Sequence, residues 1–171
     1  MIVVLAGYRG SGKTTVGRML ADRLWYRFAD VDDAIVQRAG KTIADIFAQD
    51  GEEHFRDIET AALRELLRET DLVLGLGGGT LGRQENRDML RDARARVVYL
   101  RCDPQELLRR IQSDPRSAAT RPSLTPLGGG LEEINLKLAE REPVYRQCAH
   151  VEIDVTRLKP EEVVNRILRL L

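Results

Sequence analysis

The stretch Gly7-Tyr8-Arg9-Gly10-Ser11-Gly12-Lys13-Thr14 satisfies the pattern G-x-x-x-x-G-K-[ST] and lies between an apolar run and a helical one. Before it, Ile2–Ala6 is continuously apolar and rich in β-branched residues, as a strand buried on both faces is. After it, Val16, Met19, Leu20 and Leu24 fall on one stripe and predict a helix over 13–24. Glycines let the backbone curl until its N–H groups face phosphate oxygens, and the helix N-terminus adds positive potential. Gly10, Ser11, Gly12, Lys13, Thr14 and Thr15 are therefore read as nucleotide-binding. Lys13 reaches the β- and γ-phosphates and the Thr14 hydroxyl ligates Mg²⁺.

Working outward, strands alternate with helices along the whole chain. Strands are predicted at 27–30, 72–76, 97–101 and 149–155, and helices near 33–39, 51–69, 83–92, 131–147 and 160–171. Thr42-Ile-Ala-Asp45 has capping-box spacing and opens a short helix, and Asp50-Gly-Glu-Glu53 is read the same way. Asp103-Pro104 places a cap and a first-turn proline before another helix, which gives out near Ser113. Such alternation implies a parallel sheet with helices on both faces, and one α/β domain over 1–171. Residues 113–130, rich in Pro, Gly, Ser and Thr, read as either a functional lid or a disordered loop, and Arg116 and Arg121 in it as either lid arginines over the γ-phosphate or solvated loop charges.

The composition narrows the function. The 27 basic and 27 acidic residues cancel, which argues against a general nucleic-acid or membrane-surface binder. Only Lys13, Lys41, Lys137 and Lys159 are lysines, so an arginine here is informative only through its position. Cys102 and Cys148 lack metal-like spacing and are read as buried thiols and not as a disulfide or zinc site. A strand from residue 2 and the lack of a long apolar run lead us to expect no signal peptide, no membrane span and a cytoplasmic protein. No N-K-x-D for guanine is present, and the chain is short for a mechanical ATPase domain, which leaves a compact kinase acting on a small molecule.

A second glycine run, Gly77-Gly78-Gly79, follows the predicted strand 72–76. No lysine stands at Walker spacing after it, so it is read as a backbone platform for the phosphoryl acceptor, or at Gly77 as a tight turn. Asp30 and Asp32 stand at a strand's carboxyl end, where ligands of open α/β sheets bind. Asp30 is read as a Mg²⁺ ligand. Asp32 either accepts a hydrogen bond from a substrate hydroxyl or caps the following helix, and spacing alone does not choose. Arg56 and Arg141 on two helices either fork a carboxylate or sit on solvated helix faces.

Together these features resemble shikimate kinase, over essentially the whole chain. The resemblance rests on the phosphate loop, Asp30-x-Asp32, the run from Ile43-Ala-Asp-Ile-Phe47 to Phe55-Arg56-Asp-Ile-Glu59, and Gly77–Gly79. Arg121-Pro122 and Arg141-Glu-Pro-Val-Tyr145 complete it. It implies a five-stranded parallel sheet in the order 2-3-1-4-5, three α/β/α layers and a lid. It implies that Asp32, Arg56, Gly78, Gly79 and Arg141 bind shikimate in a segment centred on 32–60. Thr14 and Asp30 then organise Mg²⁺, Lys13, Asp32 and Arg121 are catalytic, and Arg121 and Arg157 join the nucleotide site. Ser123-Leu124 follow the lid Arg-Pro where family members often carry two apolar residues. The expected partners are ATP and shikimate, acting on a monomer. A gluconate-type acid kinase, and a nucleotide-gated module without acceptor chemistry, are the rival readings.

Overall fold

The structure is a computed structural model that describes residues 1–114 and 127–171. Arg116, Arg121, Pro122, Ser123 and Leu124 lie outside the described residues. In chain order the elements are β1 (Ile2–Ala6), α1 (Lys13–Leu24), β2 (Arg27–Asp30), α2 (Val31–Ala39) and α3 (Ile43–Leu66). They continue with β3 (Leu72–Gly75), α4 (Gln84–Asp92), β4 (Arg96–Arg101), α5 (Pro104–Ser113), α6 (Leu131–Cys148), β5 (Val151–Asp154) and α7 (Pro160–Leu170). All strands run parallel in the order β2-β3-β1-β4-β5, as expected. The register sets Leu5 and Asp30 level with Gly75, so the ends of β1, β2 and β3 open on one crevice.

The alternation of side chains along a strand separates two cores. Val3 and Leu5 face a layer with Val16, Leu20, Leu107, Ile134 and Ile167. Ile2, Val4 and Ala6 face the other, with Val31, Ile35, Ile46, Phe55 and Leu63. Helix α6 contributes to both, through Ile134 and Leu138 on one side and Tyr145 on the other. Arg141 falls between those contacts, which brings it to the crevice.

Local signals explain the boundaries. Thr42 Oγ1 accepts from the Asp45 N–H at 3.1 Å, forming the predicted cap of α3. That helix is broken at Gly51 (φ 84°, ψ 172°), at the predicted junction of two helices. Asp103 is the N-cap residue of α5 ahead of Pro104, as expected, although its side chain makes no capping bond and accepts from Arg101 Nη2 at 2.6 Å instead. The carboxylate of Asp50, the other expected cap, meets Lys41 Nζ at 3.0 Å. Cys102 and Cys148 are both free thiols, as expected, but only Cys102 is buried; Cys148, at the end of α6, is half-buried. Trp25, 94% exposed, closes α1 in the left-handed region at φ 60°. Among the described residues no helix is long and apolar enough to cross a membrane.

Gly17 sets how closely α1 lies on the sheet. A Cβ there would fall 2.4 Å from Phe28 Cε2 and 3.3 Å from Leu5 Cδ1. Gly17→Val should therefore lower unfolding free energy by about 1–3 kcal/mol, as overpacking does, in urea melts followed by circular dichroism. An unchanged midpoint would mean that α1 does not need the close approach.

Candidate active site

The phosphate loop spans the gap between β1 and α1, and its glycines are required by conformation. Gly7, Gly10 and Gly12 take φ values of 147°, 85° and 94°. A Cβ on Gly7 would also lie 2.7 Å from the Leu100 carbonyl oxygen, a backbone atom that cannot give way. Lys13 Nζ donates to the carbonyls of Gly7 and Tyr8, each at 2.9 Å, which holds its charge over the loop. Ser11 is buried, whereas Thr14 and Thr15 are exposed on the first turn of α1.

Asp30 ends β2 and is also the cap of α2. Its Oδ1 accepts from the Asp32 N–H at 2.9 Å, and its Oδ2 accepts from Thr14 Oγ1 at 3.3 Å. The capping role that the sequence left open for Asp32 thus belongs to Asp30, and Asp32 lies inside the first turn of α2. Thr14 and Asp30 present two hard oxygen donors side by side, the kind that suits Mg²⁺ shared with substrate phosphates.

The glycine triplet lies at the end of β3, next to β1, and Leu76 N donates to Leu5 O at 3.0 Å. None of its residues has a positive φ, so what a side chain there would disturb is the approach of its neighbours and not the backbone. A Cβ at Gly77 would lie 3.0 Å from Glu59 Oε1 and 3.2 Å from Asp32 Oδ1. At Gly78 it would lie 3.0 Å from Arg141 Nη1, and at Gly79 2.4 Å from Arg56 Nη2. Each expected acceptor residue thus lies against the triplet. Gly77 is accordingly more than a turn, because Asp32 and Glu59 close on it.

Three supporting residues went unassigned in the sequence. Glu59, 1% exposed, accepts from Arg56 Nη1 at 2.6 Å and from Thr80 Oγ1 at 2.7 Å. Its spacing of three from Arg56 on one helix was the available signal. Tyr145, inside the quoted Arg141–Tyr145 run, donates its hydroxyl to the Gly78 carbonyl. Tyr8 lies under Arg141, with the guanidinium carbon 5.8 Å from the ring centroid. Burial pushes the Tyr8 phenol up from its ordinary range, more than the nearby Arg141 lowers it. Tyr8 is therefore a neutral face for that cation.

Arg157 is exposed just beyond β5, at the same carboxyl end of the sheet. Thr156 Oγ1 accepts from Asp103 N at 3.1 Å, and Arg110 Nη2 donates to Val155 O at 2.9 Å, so its segment is tied to α5. Arg121 lies outside the described residues.

Comparison with known proteins agrees with this geometry. Residues 9–171 match the sequence profile described as shikimate kinase. The shikimate kinase of Geobacter metallireducens is 42% identical over 96% of this chain and 88% of its own length. That of Rhodopirellula baltica is 39% identical over 96% and 87%. Among solved structures, shikimate kinase from Acinetobacter baumannii in complex with shikimate superposes with a TM-score of 0.91 at 36% identity. That match covers 99% of this chain and 91% of the other. A gluconokinase from Sinorhizobium meliloti has a TM-score of 0.63 at 19% identity, over 98% and 89% of the two chains, and shares the fold alone.

Removing the Glu59 carboxylate leaves Arg56 and Thr80 without their shared partner. Glu59→Ala should cost about 3 kcal/mol, the low end for breaking a buried pair because Arg56 is 17% exposed. Glu59→Gln, which keeps the shape and one acceptor, should cost less in the same urea melts. Equal stability of Glu59→Ala and the unsubstituted protein would show that the pair carries none of the packing.

Proposed function

The chain belongs to the shikimate kinase family, and we propose that it transfers the γ-phosphoryl group of MgATP to the 3-hydroxyl of shikimate with the residues gathered at its two glycine loops. The observation that carries the residue assignment is the convergence of Asp32, Arg56 and Arg141 on Gly77–Gly79, one strand from the phosphate loop. Residues 1–171 act in this reading as one kinase domain, with the acceptor segment about 32–60 and the lid about 113–130.

Arg56 and Arg141 grip the shikimate carboxylate as guanidinium forks, with the backbone of Gly78 and Gly79 beside them. Asp32, at the other side of the triplet, binds the ring hydroxyls and orients the reacting one. Phosphoryl transfer passes through a loose transition state, so positioning and charge stabilisation carry most of the rate. The acceptor oxygen bonds to the γ-phosphorus while the bond to the β,γ-bridging oxygen breaks, and ADP leaves with that oxygen. The hydroxyl proton passes late to the Asp32 carboxylate. Lys13 follows the charge on the β- and γ-oxygens, held near them by the curl of the loop. Arg121 is assigned to the same phosphoryl group, and Arg157 to the adenine side.

Mg²⁺, when bound, neutralises charge on the β- and γ-phosphates. Thr14 and Asp30 hold it, a donor pair consistent with an ion that keeps waters and phosphate oxygens as its remaining ligands. We place the protein in the cytoplasm as a monomer, with ATP and shikimate as its partners and neither nucleic acid nor membrane. Its zero formal charge supports the last point.

ADP release measured with shikimate, with gluconate and without acceptor tests the acceptor directly. Only shikimate should support turnover, and gluconate turnover of equal efficiency would move the assignment to a more general acid kinase. Residue roles separate in steady-state kinetics. Arg56→Lys keeps the charge but loses the fork, and should raise KM for shikimate about tenfold or more with a smaller change in kcat. Arg121→Ala should instead lower kcat by about a thousandfold, the scale of a transition-state arginine. A KM unmoved by Arg56→Lys would remove Arg56 from the carboxylate site.

A further inference from the structure

A cavity of about 510 Å³ lies at the amino-terminal end of the sheet, away from both glycine loops. It opens between the last turns of α4 and α6 and the starts of β4 and β5. Arg87, Arg91, Arg94, Arg96 and His150 line it, and none of the described lining residues is acidic. In a chain whose charges cancel, this is a local excess of positive charge, with Arg87, Arg94 and Arg96 outside any ion pair among the described residues.

Many arginines elsewhere meet carboxylates, as in Arg27 with Glu69, Arg38 with Glu65, Arg64 with Glu85 and Arg101 with Asp103. Around the cavity only Arg91 does so, with Nη2 2.7 Å from Asp88 Oδ1. Arg87 donates to neutral oxygens, the carbonyls of Leu81 at 2.6 Å and Gly82 at 3.0 Å. Arg96 Nη2 donates to the Leu170 carbonyl at 3.2 Å, and its Nε is buried without a hydrogen-bond partner. The Arg94 guanidinium makes no hydrogen bond or ion pair among the described residues. His150 Nδ1 accepts from the Val97 N–H at 3.1 Å, so the neutral ring carries its proton on Nε2 and is a donor there.

Like charges gathered in a concavity repel one another and raise the local concentration of anions. Arginine forks suit phosphate and carboxylate oxygens. The cavity is of small-molecule size, which favours a compact ligand over a macromolecular surface. We propose that this cavity binds a small polyanion bearing two or more phosphate or carboxylate groups, at a site separate from those of ATP and the acceptor.

Calorimetric titration of the full chain, saturated with ADP and shikimate so that both other anion sites are filled, tests the proposal. Inorganic pyrophosphate and citrate are the probes. One saturable event at 1:1 stoichiometry is expected with at least one of them. Pyrophosphate alone identifies a phosphate-bearing ligand, and citrate alone a carboxylate-bearing one. Arg94→Gly should weaken binding at least tenfold. It removes one charge at a φ of 50°, which glycine adopts without strain, and should leave shikimate-dependent turnover unchanged. Arg96→Gln should weaken binding similarly, whereas Arg38→Ala, at a paired arginine on α2, should not. No saturable event with either anion, or undiminished affinity in Arg94→Gly, overturns the proposal.

Discussion

A carboxylate buried to 1% exposure has to be satisfied by its surroundings, and the acceptor side of this protein is arranged around how Glu59 is satisfied. One oxygen takes Arg56 from the same helix face, and the other takes the Thr80 hydroxyl from the turn after the triplet. Asn86 Nδ2 then holds the Thr80 carbonyl at 2.7 Å and carries the link into α4. An arginine that would otherwise sweep through its rotamers is held with its fork against Gly79. Arg56 has five N–H donors and Glu59 engages only part of them, which leaves donors for the carboxylate proposed to bind there.

The two glycine runs satisfy different constraints. In the phosphate loop the residue must be glycine because the backbone turns through φ values that side chains resist. In the triplet the backbone is ordinary and a Cβ would displace its neighbours, since two guanidiniums and two carboxylates close on it. The first loop draws its N–H groups around a ligand. The second lets charged side chains from α2, α3 and α6 approach one strand end. Helix α6 is essential to that approach, because it leaves one core layer and joins the other with Arg141 in between.

Most of this order was legible in the sequence. The strand, loop and helix about Lys13 identified the fold, and alternating apolar runs supplied the five strands. Position in the chain carried no geometry for Arg56 or Arg141, however. Only their quoted motifs raised them above the other arginines, and only folding brought them to Gly78 and Gly79. Asp30 and Asp32 could not be separated either, because either carboxylate stands where a cap is needed. The capping bond to the Asp32 N–H decides between them. Asp103 took the cap position its spacing indicated, but its side chain, like that of Asp50, found a cation instead of a helix N–H, a contact that a local pattern does not contain. The arginine cavity was equally hidden, since it gathers residues 87–96 with His150 from the bend before β5.

Trp25 gives the structure an unusual optical property. It is the lone tryptophan of the chain, and at 94% exposure its indole is already surrounded by water in the folded state. Unfolding therefore changes little around it, and neither glycine loop contributes to its environment. Intrinsic tryptophan emission should report almost nothing of stability or of acceptor binding, whereas an acceptor-site tryptophan introduced on a Trp25→Phe background would be read against a dark protein.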